Sequence, residues 1–324
     1  MKKKNIAIMA GGDSSESIIS LKSAEQVRRI LNKELYQAYT VYVKGDEWVL
    51  TSDQYCDMVV NKDDFSFSYQ GTKIKFDYAL IMIHGTPGEN GILQSYFDIL
   101  NIPYSTSDAF FSALTFNKFA CKTYLSHFDI PMASSVLIRK NLDYKIDDII
   151  QKVGLPCFVK PNAGGSSFGI SKVKKEEDLE AAIQHAFKED AEVIIESFIE
   201  GIEVSNGILI TDNKYYRLPV TEIDTDNEFF DYEAKYTEGK TREITPARLE
   251  ETMLENIKDK TQKIYQILNC KGVVRVDYII KEQEAYFLEI NTVPGMSGES
   301  IIPQQIKHFG IELSDFFEAI IENK

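Results

Sequence analysis

The residues with the clearest chemical potential lie near the carboxy terminus, in VVRVDYIIKEQEAYFLEIN, residues 273–291. The segment reads as two strands joined by the polar turn KEQE. Successive strand side chains point to opposite faces. Arg275 and Asp277 therefore share a face of the first strand, and Glu289 and Asn291 share a face of the second. Val274, Val276 and Leu288 are expected to point the other way. Four polar groups on one face of an apolar hairpin allow two readings. One is a cross-strand Arg–Glu salt bridge facing solvent. The other is a metal site, in which Asp277, Glu289 and Asn291 supply two carboxylates and an amide oxygen. Such hard ligands suit Mg2+, which completes its shell with substrate phosphates. Arg275 would then meet a further anionic oxygen, and the glycine-bearing NTVPGMSGES follows directly.

A second candidate is VKPNAGGSSFG, residues 159–169. Glycine-rich loops after strands often hold phosphate, but here the lysine precedes the glycines. The stretch matches neither GxxxxGK[ST] nor GxGxxG. As a plain hairpin turn, it would use Lys160 only to keep a strand edge soluble. As a phosphate site, it would use Lys160 as a point charge, with backbone N–H groups of 164–167 covering other oxygens. Lys118 in FNKFACK is a candidate second phosphate lysine, or simply a solvated residue on a helix. In VIIESFIEGIE, residues 193–203, an apolar strand runs into a connector whose backbone suits an adenine and whose Glu203 suits a ribose. His84 ends a strand and reads as structural or catalytic. Together these form an order that chance rarely produces: lysine, lysine with glycine loop, connector with glutamates, Arg-x-Asp, Glu-x-Asn.

The elements that would position these groups fall into three regions. NIAIMAGG (5–12) and YALIMIHG (78–85) are short buried strands, each followed by a polar loop and a helix. That pattern predicts a parallel sheet with ligands at the carboxyl ends of its strands, at GGDSSE and HGTPGENG. Residues 1–106 form this first region. The second, 107–195, has a helix around 107–127 and then mixed strands and helices to EVIIESF. The third, 196–324, contains a polar stretch at about 221–246 whose regular structure is hard to assign. Polar segments of that length are commonly lids or binding loops.

The 324 residues are 44% hydrophobic and 27% charged, as in a soluble globular protein of two or three domains. With 36 basic against 50 acidic residues the formal charge is −14, which opposes nonspecific nucleic-acid or anionic-membrane binding. MKKKNIAIMA starts like a signal peptide, but its apolar run is too short for one. No run of eighteen apolar residues suggests a membrane span. Cys56, Cys121, Cys157 and Cys270 are widely spaced and are expected to be reduced core thiols of a cytoplasmic protein.

These motifs resemble those of the ATP-grasp enzymes, and within them the D-alanine–D-alanine ligases, over nearly the whole chain. HGTPGENGILQS is similar to the family's HGxxGEDG signature, with Asn90 in place of the commoner aspartate. RVDYII…YFLEINTVPGMSGESIIP resembles its carboxy-terminal signature, VKPNAGGSSFGISKV its phosphate-covering loop, and DYEAKY (231–236) its substrate-closing segment. The implied architecture is α/β, α+β in its ATP-binding part. It is an ATP-grasp fold preceded by a Rossmann-like parallel-sheet domain that binds substrate. The implied reaction is ATP-dependent ligation of two D-alanines through a D-alanyl phosphate, for peptidoglycan precursors.

The resemblance also implies roles. Lys118, Lys160 and Lys235 would hold ATP phosphates, with Gly165, Ser166 and Ser167 covering them. Glu196, Phe198, Ile199 and Glu203 would bind adenosine. Asp277, Glu289 and Asn291 would bind two Mg2+ ions, with Mn2+ a possible substitute. Glu16 and His84 would take the ammonium of the first D-alanine. Ser300 and the amide of Ile301 would take the carboxylate of the second. Arg275 and Gly295 would stabilise the oxyanion, and Tyr236 would tie Ser166 and Glu16 together in a closed lid over 221–246. A tyrosine after the lid lysine favours an amine acceptor over a hydroxy acid. A homodimer through the amino-terminal domain is implied as well. The chain departs from many members at Ile18, Ser197 and Phe230, none of them a metal or phosphate ligand. Alternatives are a related carboxylate–amine ligase with another acceptor such as D-serine, a phosphotransferase, and a non-catalytic nucleotide-binding regulator.

Overall fold

A computed structural model of the chain describes residues 2–14, 16–51, 53–165, 169–225 and 241–323. The first region contains β1 (Lys4–Gly11), α1 (Ser17–Ile30), β2 (Tyr36–Lys44), β3 (Glu47–Leu50), β4 (Ser66–Tyr69), β5 (Thr72–Lys75), β6 (Tyr78–Ile81) and α2 (Ile92–Leu100). Its main sheet has the order β3-β2-β1-β6, while β4 and β5 form a separate ribbon. β1 pairs in parallel with β2 and β6, and β3 closes one edge antiparallel. β1 reads as an unbroken apolar run because both its faces are covered. Ile6, Ile8 and Ala10 pack in one cluster with Val27 of α1, and Ala7 and Met9 pack in another with Tyr39, Phe65, Phe67 and Phe97. The carboxyl ends of β1 and β6 meet as expected, with Ser14 Oγ donating to the His84 carbonyl at 2.8 Å.

The middle region holds α3 (Ala109–Phe116), α4 (Lys118–Leu125), β7 (Ser135–Arg139), α5 (Ile146–Val153), β8 (Cys157–Pro161), β9 (Ser171–Val173), α6 (Leu179–Ala186) and β10 (Glu192–Ser197). The single helix expected around 107–127 is broken at Asn117, whose backbone is extended at φ −86°, ψ 101°. Asn117 Oδ1 instead accepts the Ala120 N–H at 2.9 Å and starts a new helix. Short polar side chains compete with helix continuation in this way. The four strands form the antiparallel sheet β7-β10-β8-β9. The glycine loop joins β8 to β9, two paired strands, and not a strand to a helix.

The last region holds β11 (Ile202–Ile210), β12 (Tyr215–Thr225), β13 (Thr241–Ile244), α7 (Glu251–Ile267), β14 (Val274–Lys281), β15 (Glu284–Asn291), α8 (Ile301–Phe309) and α9 (Leu313–Ile321). Its antiparallel sheet has the order β13-β12-β11-β14-β15. The polar stretch 221–246 is thus strand at both ends, since β12 runs through Thr225 and β13 begins at Thr241. Val204, Ile208, Val274, Val276 and Tyr278 pack under Ile257 and Ile264 of α7.

The end of the chain returns to its beginning. Phe316, Phe317 and Ile320 of α9 join the cluster of Ile6 and Ile8, and Tyr78 Oη donates to the Ile320 carbonyl at 3.3 Å. Cys121, Cys157 and Cys270 are buried, but Cys56 is exposed rather than in the core, on the surface of the first region. Among the described residues, no helix is long and apolar enough to cross a membrane.

Candidate active site

The terminal hairpin gathers its polar groups as its alternation predicts. Arg275 lies opposite Asn291 and Asp277 opposite Glu289 across the β14–β15 pair. The register then shifts, so that Tyr278 pairs with Phe287 and Leu288 is the extra residue of a β-bulge. Leu288 therefore does not join the core with Val274 and Val276. It lines a pocket beside Tyr286 and Glu289. Asp277 is buried, accepts from the Ser205 hydroxyl, and is gripped by Arg275 through Nε at 2.9 Å and Nη2 at 2.8 Å. Asn291 Oδ1 accepts the Val293 N–H at 2.9 Å, which orients the amide and opens the following loop. Among the described residues, no three His, Cys, Asp or Glu side chains are grouped to hold a metal by themselves. Two carboxylates and one amide fit a hard cation that takes its remaining oxygens from a bound substrate.

The lysines approach from the middle sheet. Along β8 the alternation buries Val159 and Pro161 and turns Lys160 toward the pocket, where Nζ meets Glu196 Oε2 at 2.8 Å. The other oxygen of Glu196 is held by Lys122 of α4. Burial disfavours the Glu196 carboxylate, but Lys122 and Lys160 more than offset this and pull its pKa down to about 2. Burial likewise works against the charge of Lys160, yet Glu196, with Glu289 and Glu203 farther off, holds its pKa above the ordinary lysine value. Lys118 is the first residue of α4, and its Nζ donates to the Gly164 carbonyl at 2.6 Å, 4.0 Å from Glu289. Buried Asn162 fastens this helix start to the glycine loop, its carbonyl accepting Lys118 N–H at 3.0 Å and its Oδ1 accepting Phe119 N–H at 2.9 Å.

Lys122, Lys160 and Glu196 floor a cavity walled by Phe158, Phe198, Ile199, Glu203 and Leu288. The Phe158 and Phe198 rings stand 5.9 Å apart, and Lys172 Nζ lies 3.9 Å over Phe198. Apolar walls from Phe158, Phe198, Ile199 and Leu288, with carboxylates such as Glu203 around them, suit a nucleoside. Lys160 and Glu289 also line a second cavity with Lys118, Gly164, Gly165 and Glu16. That cavity in turn shares Glu16, Lys118 and Glu289 with a third, which holds His84, Glu89, Arg275, Gly295, Ser300 and Ile301. The three cavities are thus neighbours that share lining residues, from the slot to the loops at the carboxyl ends of β1 and β6.

His84 is buried at that far end, and among the described residues its Nε2 has no hydrogen-bond partner. Burial pushes its pKa down, against the pull of Glu16, which favours the neutral ring, whose unprotonated nitrogen is a hydrogen-bond acceptor. Ser300 precedes α8, and its hydroxyl lies 2.8 Å from that of Ser297. The N–H groups at a helix start favour a carboxylate. A β-carbon at Gly295 would sit 2.8 Å from Ser300 Oγ, so a larger residue there would press on the hydroxyl that precedes α8. Of the residues singled out from sequence, Ser166, Ser167, Lys235 and Tyr236 lie outside the described residues. The others line the three connected cavities, except Asp277, whose carboxylate is covered by Arg275 and Ser205.

Several charged residues that line these cavities carry no assignment from sequence, Lys122 and Glu89 among them. Lys122 stands four residues after Lys118, one helical turn on, a spacing that places both on one face of α4. Glu89 sits within the quoted loop HGTPGENG, where it accepts the Gly85 N–H at 2.6 Å. Burial pushes its carboxyl up to about 8, against that hydrogen bond.

A parallel sheet followed by two antiparallel sheets that enclose one cleft, with lysines from one sheet facing carboxylates from the other, defines an ATP-grasp protein. Residues 5–107 match the family model D-ala D-ala ligase N-terminus, and residues 124–322 match D-ala D-ala ligase C-terminus. D-alanine–D-alanine ligases of Phocaeicola vulgatus and Bacteroides fragilis are 50% and 46% identical over 323 residues, covering 99% of this chain and 99% of each relative. Among solved structures, the VanG D-Ala:D-Ser ligase from Enterococcus faecalis aligns with a TM-score of 0.87 at 32% identity, over 99% of both chains. A Bacillus anthracis D-alanine–D-alanine ligase complexed with ATP aligns at 0.79 and 27% identity, over 99% of this chain and 97% of that one. The chain belongs to the D-alanine–D-alanine ligase family.

Proposed function

We propose that the protein joins two D-alanine molecules into D-alanyl-D-alanine, with ATP as activating substrate and ADP and phosphate as products, for peptidoglycan precursor synthesis. A carboxylate is a poor electrophile, so it must first become an acyl phosphate. The adenosine occupies the slot between Phe158, Phe198 and Leu288, with Ile199 backbone, Glu196 and Glu203 as polar partners. Its phosphates run past Lys160 and Lys118. Asp277, Glu289 and Asn291 would hold two Mg2+ ions, for which Mn2+ can substitute, and these neutralise phosphate charge when bound.

Glu16 and neutral His84 hold the ammonium of the first D-alanine, so that its carboxylate faces the phosphate cavity beside Lys118. A carboxylate oxygen attacks the γ-phosphorus, the bond to the β-phosphate oxygen breaks, and ADP leaves. The carboxylate of the second D-alanine rests on Ser300 and the Ile301 N–H. Its ammonium gives one proton to solvent and the neutral amine attacks the acyl carbon; Arg275 and the Gly295 N–H stabilise the oxyanion, and the nitrogen loses a second proton as phosphate departs. We place this reaction in the cytoplasm, where ATP is supplied, in a homodimer that light scattering would detect.

The observation that carries this reading is the sharing of Glu16, Lys118 and Glu289 between the phosphate cavity and the cavity of His84, Arg275 and Ser300. Neighbouring cavities that share these side chains would set an acyl group beside a terminal phosphate. The test is incubation with ATP, Mg2+ and single D-amino acids while phosphate and dipeptide are both measured. D-Alanine should give both in equal amounts. Phosphate without dipeptide would defeat the assignment, and a mixed product formed preferentially with D-serine would move the protein to the D-alanine–D-serine class.

A further inference from the structure

The floor of the nucleoside slot carries three charges in a row. Glu196 lies between Lys122, which takes one carboxylate oxygen, and Lys160, which takes the other at 2.8 Å. The side chains of Lys122 and Glu196 are 4% and 5% exposed, so their interaction is little screened by solvent. If Glu196 had Lys160 as its only partner, the pair would be neutral and Lys160 would present no excess charge to an incoming phosphate. With Lys122 present the trio carries a net charge of +1. The other charged residues of the cavity wall make that excess matter: Glu222 and Asp224 are paired with Arg248, but Glu200, Glu203 and Glu289 still outnumber Lys172. Lys122 lines the slot alone, whereas Lys160 lines both the slot and the phosphate cavity.

We propose that Lys122 is a positioning residue for the nucleotide, neutralising Glu196 so that Lys160 is available to the phosphates. The inference rests on the ATP reading above. It requires that Lys122 contribute to binding in proportion to the phosphate charge on the ligand, although it need not touch phosphate itself. A purely structural lysine would affect adenosine and ATP alike. Lys122 thus acts through Glu196 and Lys160, within the same helical turn that places Lys118 on the glycine loop.

The experiment is direct binding of adenosine, AMP, ADP and a non-hydrolysable ATP analogue to the full-length protein, followed by calorimetry. The readout is the ratio of analogue affinity to adenosine affinity. Lys122→Met should lower this ratio about tenfold, equivalent to about 1.4 kcal/mol, and change adenosine affinity less than about twofold, since one long-range charge is lost. Lys122→Arg should keep the ratio within about threefold of wild type, because the charge is retained. Lys122→Met combined with Glu196→Gln removes the carboxylate together with its neutraliser. It should restore the ratio to within about threefold of wild type, even though losing the Glu196 carboxylate weakens adenosine binding itself. An unchanged ratio in Lys122→Met, or a ratio still depressed in the double variant, overturns the proposal. Failure of the wild-type protein to bind any of the four ligands would overturn the ATP reading instead.

Discussion

The carboxylate of Glu16 lies against the α-carbon of Gly165, so close that a β-carbon there would sit 2.5 Å from Glu16 Oε2. Glu16 stands at the start of α1, in the loop that leaves the parallel sheet, whereas Gly165 belongs to the loop between β8 and β9. The group assigned to the substrate ammonium and the loop assigned to ATP phosphates are therefore in van der Waals contact. Movement of either is felt by the other.

Gly165→Ala tests that contact. Gly165 is not among the glycines with positive φ, so alanine is compatible with the backbone there. The methyl group must instead displace the flexible end of Glu16. Melting should shift by less than about 1 kcal/mol in stability, while KM for D-alanine rises about tenfold, as expected for loss of one charge-assisted contact. KM for ATP should stay within about threefold. Equal increases in both constants would show that the loop, not Glu16, had been disturbed.

Arg275 has two duties in this geometry. It holds Asp277 through two nitrogens and also lines the cavity of Ser300 and Gly295. Arg275→Ala should lower kcat by on the order of 10²-fold or more, the usual cost of removing an oxyanion donor. Arg275→Lys keeps the charge but not the fork that spans Asp277 and the cavity, so it should recover only part of that loss. Near-normal turnover in Arg275→Ala would remove it from the reaction.

Glu89 gives the folded protein a pH dependence of its own. Its carboxyl is pushed by burial from the ordinary 4.5 up to about 8. A raised pKa means that the folded state binds the proton more tightly than the unfolded state. The stabilisation from this group is thus fully present below about pH 4.5 and is lost as pH rises toward 8. Each unit is worth about 1.4 kcal/mol, and because part of the carboxyl faces the open cavity, a few kcal/mol is the expected total. Glu89→Gln removes the titration. Melting of the ligand-free proteins at pH 5 and pH 8 should show wild type losing stability relative to the variant across that interval. Parallel curves would mean that Glu89 ionises normally.

What can be read from sequence follows the range of the interactions involved. Arg275, Asp277, Glu289 and Asn291 are legible because their grouping needs only period-two alternation, which the β14–β15 pairing preserves. Lys160 is legible because a lysine closes an apolar run just before the glycines, and on β8 it turns away from buried Val159 and Pro161. Alternation misplaces Leu288 because a bulge depends on the partner strand, which no local pattern encodes. The break at Asn117 turns on a side chain choosing to cap a new helix over continuing the old one. Lys122 does not stand out because a helical lysine is ordinarily solvated, and only the folded chain brings Glu196 from β10 to meet it. The docking of α9 on β1 and β6 joins residues such as Tyr78 and Ile320, 242 positions apart.

The metal role proposed for the carboxylates of β14 and β15 can be tested directly. Asp277 is buried and Glu289 lines all three cavities, within 4.0 Å of Lys118. Two carboxylates and an amide leave a hard divalent ion dependent on phosphate oxygens, so metal and nucleotide should bind together. Excess chelator should abolish dipeptide formation, and added Mg2+ or Mn2+ should restore it, whereas melting of the ligand-free protein should be unchanged by chelator. Glu289→Gln removes one anionic ligand but keeps the shape of the side chain. It should raise the Mg2+ concentration needed for half-maximal turnover by about tenfold or more, in the range seen when a metal site loses a supporting group. The calorimetric response to the ATP analogue should likewise require higher Mg2+ in this variant. An unaltered Mg2+ requirement would move the metal away from the hairpin and return its four polar groups to a simple charged face.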